Sequence, residues 1–220
     1  EQYNMGFYRG PNIVTDGLLI AIDAGSERSY SGSGTSVSNI IDDSTYTLQN
    51  SLSKVSDKGG TWDYDGVDDY ISGPSMSFGN LSGYTIAFWN RRDSENKMYV
   101  SSNNGIWYWY GDNSWRYGNG GGGEYYYPKS VSIPSGTWGY YVATYDGSNV
   151  KIYRQGVYEG AKASTGTANF DSLTWQFGKH AASGSYYFNG LGGNIYLYNK
   201  ALTQAEVTQN FNAQKSRFGL

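Results

Sequence analysis

The sequence feature that most constrains the fold lies near the carboxyl end, where a strand pattern runs directly into a well-marked helix start. Residues 194–198 alternate polar and apolar side chains of β-branched and aromatic types, as a half-buried strand does. Thr203 then stands at an N-cap position, and Glu206 follows three residues later. This is the spacing of a capping box, in which each side chain satisfies a backbone N–H of the other residue.

The residues around the capping box predict one short helix that packs on a sheet. Leu202 precedes the cap and Val207 follows it at the positions of a hydrophobic staple. Val207 and Phe211 would form the buried face of the helix, which we expect to end near Lys215. A last strand closed by one capped helix is a framework feature and carries no catalytic group.

Upstream of this helix, the sequence predicts strands throughout. Glycine is abundant, with 31 copies, and aromatic residues make up 17% of the chain, a mixture that suits short strands, glycine turns and an aromatic core. Segments 29–35 and 118–123 read as loops. The predicted strands occupy residues 18–23, 45–48, two runs around Asp65-Gly66 within 61–71, a central strand at 84–89, a meander at 97–101, 105–110 and 114–117, a hairpin at 138–145 and 149–153, and runs at 157–162, 173–177 and 186–198.

This organisation predicts a single all-β domain. A chain of 220 residues is long enough for one large β-sandwich, and no linker or internal repeat divides it. We expect residues 1–17 to form an irregular N-terminal segment and residues 18–220 to form a jelly-roll β-sandwich with one short C-terminal helix.

Composition excludes several classes of partner and site. The net charge is −3 and no basic patch is present, so we expect no nucleic-acid partner. No apolar run approaches transmembrane length, so we expect no membrane partner. Cysteine is absent, which excludes disulfides and thiolate metal sites.

Four segments, in order along the chain, resemble motifs of the concanavalin A-like, laminin G-type jelly roll. They are YDGVDDYI at 64–71, YTIAFW at 84–89, the hairpin from Trp138 to Gly156 that contains TYDG, and the closing stretch 188–207. The resemblance implies a jelly-roll sandwich over most of residues 11–220. The chain departs from the family pattern at Gly193, where many relatives carry an aspartate, and at Arg154-Gln155-Gly156, where they carry VNG.

A narrower resemblance points to structural proteins of tailed bacteriophages. It rests on residues 10–18, on Asp23-Ala24, on residues 29–35 and on the ending 217–220. It implies a non-enzymatic virion protein, as a surface decoration, fibre or adhesin module, whose partners are other virion proteins or copies of itself. The implied location is the surface of the extracellular particle. A lectin-like module that recognises a host-surface glycan is the alternative, and a glycan-active enzyme is a more distant one.

The sequence offers little for catalysis, and we predict no catalytic residues. His180 is the only histidine, so a Ser–His–Asp triad would have to use it, and it reads as a solvent-exposed loop residue. Glycosidases of this broad fold use paired carboxylates on strands, whereas the predicted strands here carry almost no acids.

The acidic residues that do cluster flank the predicted Asp65-Gly66 turn. Asp63, Asp65, Asp68 and Asp69 could supply oxygen ligands to a structural Ca²⁺ ion. We favour the alternative in which these side chains form and cap the turn, because the family motif contains most of them without requiring a metal. We therefore predict no metal site and no cofactor.

An aromatic segment is the better candidate for binding. The candidate partner- or ligand-binding residues, grouped before and after the glycine-rich loop 118–123, are Trp107, Trp109, Trp115, Tyr125, Tyr126 and Tyr127. Exposed rings beside asparagine and aspartate suit sugar stacking, and they suit a protein interface equally well. The third interpretation is that these rings only pack in the core or across strands.

Overall fold

A computed structural model of the protein describes residues 12–94, 97–103, 106–111, 114–119, 134–164, 168–181 and 185–220; for Lys97, 106–111, 114–119 and Ala168 it describes the main chain only. These residues form seventeen strands and one α-helix. The strands are β1 (Leu18–Ile22), β2 (Ser36–Ser38), β3 (Thr45–Gln49), β4 (Ser53–Val55), β5 (Thr61–Asp65), β6 (Tyr70–Met76), β7 (Asn80–Leu81), β8 (Tyr84–Arg92), β9 (Lys97–Ser102), β10 (Ile106–Gly111), β11 (Ser114–Asn119), β12 (Trp138–Tyr145), β13 (Asn149–Arg154), β14 (Val157–Ala163), β15 (Ala168–Asn169), β16 (Leu173–Phe177) and β17 (Asn189–Tyr198), and the helix is α1 (Gln204–Phe218).

Two antiparallel sheets pack face to face, as the predicted sandwich requires. The eight-stranded sheet has the order β14-β13-β12-β8-β17-β5-β4, and β1 also pairs with β17. The seven-stranded sheet has the order β11-β10-β9-β16-β6-β3-β2, and β7 pairs with β15 separately. The all-β class, the jelly-roll sandwich and the single C-terminal helix are therefore confirmed.

The central strand β8 is covered on both faces. Ile86 and Phe88 lie in the core between the sheets, whereas Ala87 and Trp89 lie in a second core under the helix. This double burial explains why the strand reads as an almost continuous apolar run and does not alternate with polar residues.

The capping box of α1 forms as predicted. Thr203 Oγ1 accepts a hydrogen bond from the Glu206 backbone N–H, and Glu206 Oε2 accepts one from the Thr203 backbone N–H at 2.8 Å. Leu202 and Val207 are buried, as a hydrophobic staple requires. The helix runs past Lys215 to Phe218, because the first residue in the left-handed conformation is Gly219.

The departure from the family pattern at Gly193 has a packing reason. A Cβ at this position would lie 2.8 Å from Phe218 Cζ and 2.9 Å from Trp89 Cβ. The rings of Phe218 and Trp89 stack with centroids 4.2 Å apart, and Trp89 Nε1 donates to Gln214 Oε1 at 2.6 Å. The missing side chain therefore lets the end of the helix close onto the eight-stranded sheet.

Three local predictions need adjustment. The Asp65-Gly66 dipeptide between two predicted strands is typical of a hairpin, but the flanking strands do not pair with each other; β5 belongs to the eight-stranded sheet and β6 to the seven-stranded one. Main-chain residues 118 and 119 belong to β11 and not to the predicted glycine loop. Phe211 is half-buried against Trp89 and Tyr140 and not fully enclosed.

The irregular N-terminal segment is described from Asn12 onward. Ile13 and Val14 are buried in the core under α1, and the Val14 backbone N–H donates to Asn210 Oδ1 at 2.7 Å. None of the described helical structure has the length and apolar character that crossing a membrane requires.

Candidate functional site

The seven-stranded sheet has an apolar inner face. Leu48 on β3, Ile71 on β6 and Phe177 on β16 are all buried in the core between the sheets. Because successive residues of a strand point to opposite faces, the neighbours of these side chains lie on the outer face of the sheet.

A row of polar side chains crosses that outer face. Thr47 pairs with Ser72, Ser72 with Gln176, and Gln176 with Ser101, so four strands contribute one residue each. We call these four residues the polar row. Gln49 Nε2 donates to Ser72 Oγ at 2.8 Å, whereas Gln176 Oε1 has no hydrogen-bond donor within the described part of the chain. Ser101 is 1% exposed and its hydroxyl is already hydrogen-bonded within the protein, so the half-buried members Thr47, Ser72 and Gln176 are the ones that can offer hydroxyl and amide groups to a ligand.

Aromatic rings lie at one end of the polar row. Tyr70, two residues before Ser72 on β6, shares its face, and Lys179 Nζ lies 3.8 Å from the centre of the Tyr70 ring. The Tyr187 ring approaches Tyr70 with centroids 6.5 Å apart. This arrangement places a cation and two half-buried rings next to the polar row.

Two further side chains extend this aromatic group. Tyr186 is 49% exposed, and the His180 ring lies 6.4 Å from it. His180 is half-buried, in contrast to the fully exposed position expected, and burial lowers the pKa of its imidazole, which favours the neutral ring at neutral pH. The five residues Tyr70, Lys179, His180, Tyr186 and Tyr187 are called the Tyr70 patch below.

Hydrogen bonds fasten the loop that carries most of this patch. Ser101 Oγ donates to the Lys179 carbonyl at 2.7 Å and accepts from the Ala181 N–H at 2.9 Å. The Phe188 N–H donates to the Gly178 carbonyl at 2.7 Å and closes the base of the loop. Gly178 has φ +102°, and a Cβ there would collide with the Tyr64 ring, so glycine is required.

The residues predicted from the sequence are only partly described. Trp107 and Trp109 lie on β10 and Trp115 on β11, in the same sheet as the Tyr70 patch, and the Trp107 main chain pairs with Ser101. Their side chains, and all of residues 125–127, lie outside the described part of the chain, so Trp107, Trp109, Trp115, Tyr125, Tyr126 and Tyr127 stay a prediction.

The Tyr70 patch was not found from the sequence. Tyr70 belongs to the motif at 64–71. Because neighbouring residues of a strand point to opposite faces, the inward-facing Ile71 implies that Tyr70 points to the outer face. Lys179, Tyr186 and Tyr187 belong to a loop whose position depends on long-range hydrogen bonds, so no local pattern marked them.

The acidic cluster stabilises its turn, as we expected. Asp65 Oδ1 accepts from the backbone N–H groups of Val67 and Asp68, and the Val67 bond in particular lowers the pKa of Asp65. Asp69 accepts from the N–H groups of Ser51 and Asp65, and burial raises its pKa. Carboxylate oxygens of Asp65, Asp68 and Asp69 lie within 4.8 Å of one another, but two of the three already hold backbone groups.

Two further acids, the buried Asp23 and the strand residue Glu159, are engaged in ion pairs. Asp23 is 2% exposed and forms a bidentate pair with Arg217, and Glu159 on β14 pairs with Arg154 at 3.2 Å. Neither carboxylate is available as the free acid or base that glycoside cleavage needs.

Comparison with known proteins agrees with this architecture. The chain is similar to domain 4 of AbnA, a GH43 extracellular arabinanase from Geobacillus stearothermophilus, in complex with arabinotriose (TM-score 0.68, 16% identity, 89% of this chain and 98% of that one). It is also similar to Trypanosoma rangeli sialidase in complex with sialic acid (TM-score 0.69, 14% identity, 99% of this chain and 37% of that one). A third similar structure is the binding domain of botulinum neurotoxin DC in complex with SialylT (TM-score 0.68, 11% identity, 90% of this chain and 52% of that one).

These structural likenesses establish the fold. The chain spans almost all of the arabinanase domain but about a third to a half of the other two chains. No curated protein sequence matches it. A family model does match, over residues 65–208. The chain belongs to the concanavalin A-like lectin/glucanases superfamily.

Proposed function

We propose that this protein is a lectin-like module that binds a glycan on the outer face of its seven-stranded sheet. The observation that carries the proposal is the contact between the Tyr70 patch and the polar row. Tyrosine rings stack on the C–H faces of sugars, while amides and hydroxyls hydrogen-bond sugar hydroxyls. The polar row and Tyr70 lie on the sheet, and the hydrogen bonds of Ser101 and Phe188 hold the loop that carries the other rings, which limits the ordering that binding requires.

The structural relatives support this proposal. One is a domain of an arabinanase in complex with arabinotriose, and another is a binding domain in complex with SialylT. Both are sandwiches of this fold that are associated with a carbohydrate-related ligand.

We further propose that the module is not an enzyme. Among the described residues, the acids that lie close together serve a turn, and the buried acid Asp23 pairs with arginine. The imidazole of the only histidine, His180, contacts a tyrosine ring in the Tyr70 patch. A glycan that binds should therefore be recovered uncleaved.

The test is a glycan array that includes arabinotriose and sialic acid, probed with the purified domain. Tyr186→Ala should weaken binding about 10-fold or more, as loss of an aromatic anchor commonly does. The matched control is Tyr158→Ala, because Tyr158 is 48% exposed, almost the same as Tyr186, but lies on β14 of the other sheet. The proposal would be refuted if Tyr186→Ala and Tyr158→Ala lost the same amount of glycan affinity, or if the wild-type domain bound no glycan on the array.

A second candidate role is a structural module of a phage particle. Three of the segments that carry the phage-like resemblance contact one another: Arg217 Nη1 lies 2.7 Å from Asp23 Oδ2, and the Asp23 N–H donates to Ser29 Oγ at 3.1 Å. They therefore act as one structural unit. In this role the module would sit on the outside of an extracellular particle, and its partners would be other virion proteins or copies of itself.

The phage role is tested separately from sugar binding. Antibodies raised against the purified domain should label intact tailed particles in electron microscopy, and pre-absorption with the domain should abolish the label. If mass spectrometry detects the chain in the particles but the antibodies do not label them, the proposed surface position is excluded.

A further inference from the structure

A cluster of polar side chains lies in the interior of the sandwich without hydrogen-bond partners among the described residues. Asn90 on β8 is 1% exposed, and neither its Nδ2 nor its Oδ1 is bonded. Tyr64 on β5 and Tyr99 on β9 are equally buried, and their hydroxyls are also unbonded. Such groups are strongly unfavourable in a protein interior unless something satisfies them.

Glycines on both neighbouring strands flank Asn90. Its register partners are Gly192 on β17 and Gly139 on β12. A Cβ at Gly192 would collide with the Tyr99 hydroxyl, and a Cβ at Gly139 would collide with the Tyr141 hydroxyl. Tyrosine hydroxyls thus occupy the space over each glycine, on either side of the Asn90 amide.

The two tyrosines lie together beside Asn90. The Tyr64 ring packs edge-on against the Tyr99 ring with centroids 6.0 Å apart. A Cβ at Gly192 would collide with the Tyr99 hydroxyl and would lie 2.8 Å from the Tyr64 ring. Because register partners have Cβ positions about 4.5–5.5 Å apart, the pairing of Gly192 with Asn90 brings the Asn90 amide close to these two tyrosines.

The chemistry of the cluster selects its ligand. Asn90 Nδ2 can only donate, Asn90 Oδ1 can only accept, and the hydroxyls of Tyr64 and Tyr99 can do both. A cation would leave the donors unsatisfied, and an anion would leave the amide oxygen unsatisfied. A small molecule that both donates and accepts satisfies every group, and water is the smallest such molecule.

We infer that this cluster is a binding site for ordered water between the two sheets. A buried water makes about three hydrogen bonds, so the four unbonded atoms of Asn90, Tyr64 and Tyr99 correspond to about one or two water molecules. The Tyr64 ring also fills the space beside Gly178, at the base of the loop that carries Lys179. The hydrated cluster therefore lies directly beneath that loop.

Nuclear Overhauser spectroscopy on the ¹⁵N-labelled wild-type protein tests this site. The Asn90 side-chain amide protons should give cross-peaks to water of long residence time. Asn39 is the matched control, since it is fully buried and its Nδ2 donates to the Leu19 carbonyl at 2.9 Å and Asp42 Oδ1 at 2.7 Å. Absence of the Asn90 cross-peak, or equal intensity at Asn39, would overturn the inference.

A variant gives an independent answer. If water satisfies the amide, Asn90→Leu removes at least two hydrogen bonds, one from Nδ2 and one to Oδ1, and should lower the Tm by about 4–8 °C in a chain of this size. If the cluster is dry, the same change removes an unpaired amide, and an unchanged or raised Tm would contradict bound water.

Discussion

The Arg217 side chain should be the strongest single polar contribution to the stability of this fold. All five of its N–H groups are used: Asp23 receives two at 2.7 and 2.9 Å, Asn194 one at 3.0 Å, and the carbonyls of Lys58 and Gly60 one each at 2.7 Å. The side chains of Arg217 and Asp23 are 12% and 2% exposed. Arg217→Met would therefore leave a buried carboxylate without its cation.

The expected loss in the free energy of unfolding is about 3–5 kcal/mol, the usual cost of removing one partner of a buried ion pair. At roughly 2–4 °C per kcal/mol for a chain of this length, the Tm should fall by about 6–20 °C. Urea denaturation followed by tryptophan fluorescence measures the free energy directly. The free energy of unfolding of Arg217→Lys should lie between those of the wild type and Arg217→Met, because lysine keeps the charge but loses the planar fork of donors.

The matched control is an exposed ion pair. Lys151 Nζ lies 3.0 Å from Asp146, and their side chains are 40% and 29% exposed. Lys151→Met should cost less than about 1 kcal/mol. If Arg217→Met costs no more than Lys151→Met, the pair with Asp23 does not anchor the end of the helix and our reasoning about it is wrong.

Contacts elsewhere in the fold give four other predictions. Hydrogen bonds from Lys200 and Thr203 outweigh the effect of burial and lower the pKa of Glu206 below its ordinary value of 4.5. The stability that the Glu206 carboxylate contributes is therefore complete above pH 4.5 and is lost as the pH falls through the lowered pKa of the folded state. Glu206→Gln should make the Tm fall less steeply over this acidic pH range. Thr203→Ala should cost about 1 kcal/mol in chemical denaturation, and an unchanged midpoint would mean that the cap is not formed. Gly193→Ala should cost about 1–3 kcal/mol because its Cβ meets Phe218 and Trp89, and a neutral effect would contradict this packing. Exchange of EDTA for Ca²⁺ should leave the Tm unchanged, since Asp65 and Asp69 hold backbone N–H groups, whereas a rise would indicate a calcium site.

The elements predicted correctly are those specified by short-range chemistry. The capping box of α1 needs only Thr203 and Glu206 at the right spacing, and the β12–β13 hairpin needs a turn dipeptide, Asp146-Gly147, between two β-forming runs. The central position of β8 was predictable because an uninterrupted apolar run requires cover on both faces.

Sheet partition and the Tyr70 patch depend on contacts far apart in sequence. The turn at Asp65-Gly66 has the local signature of a hairpin, but β5 pairs with β17 and β6 with β16, so the chain changes sheets there. Tyr70 and Lys179 meet only because β6 and β16 are neighbours and Ser101 holds the loop that follows β16. No periodicity in the sequence encodes these distant pairings.

The most direct test of the proposed function is to map a bound sugar onto the ¹⁵N-labelled domain by chemical-shift perturbation, with the strongest array ligand as titrant. We predict that the shifts concentrate on Tyr70, Lys179 and Tyr187 and on the neighbouring polar row, with saturable dependence on sugar concentration. Saturable shifts confined to the helix side of the eight-stranded sheet, or no saturable shifts with any array sugar, would contradict a glycan site on the outer face of the seven-stranded sheet.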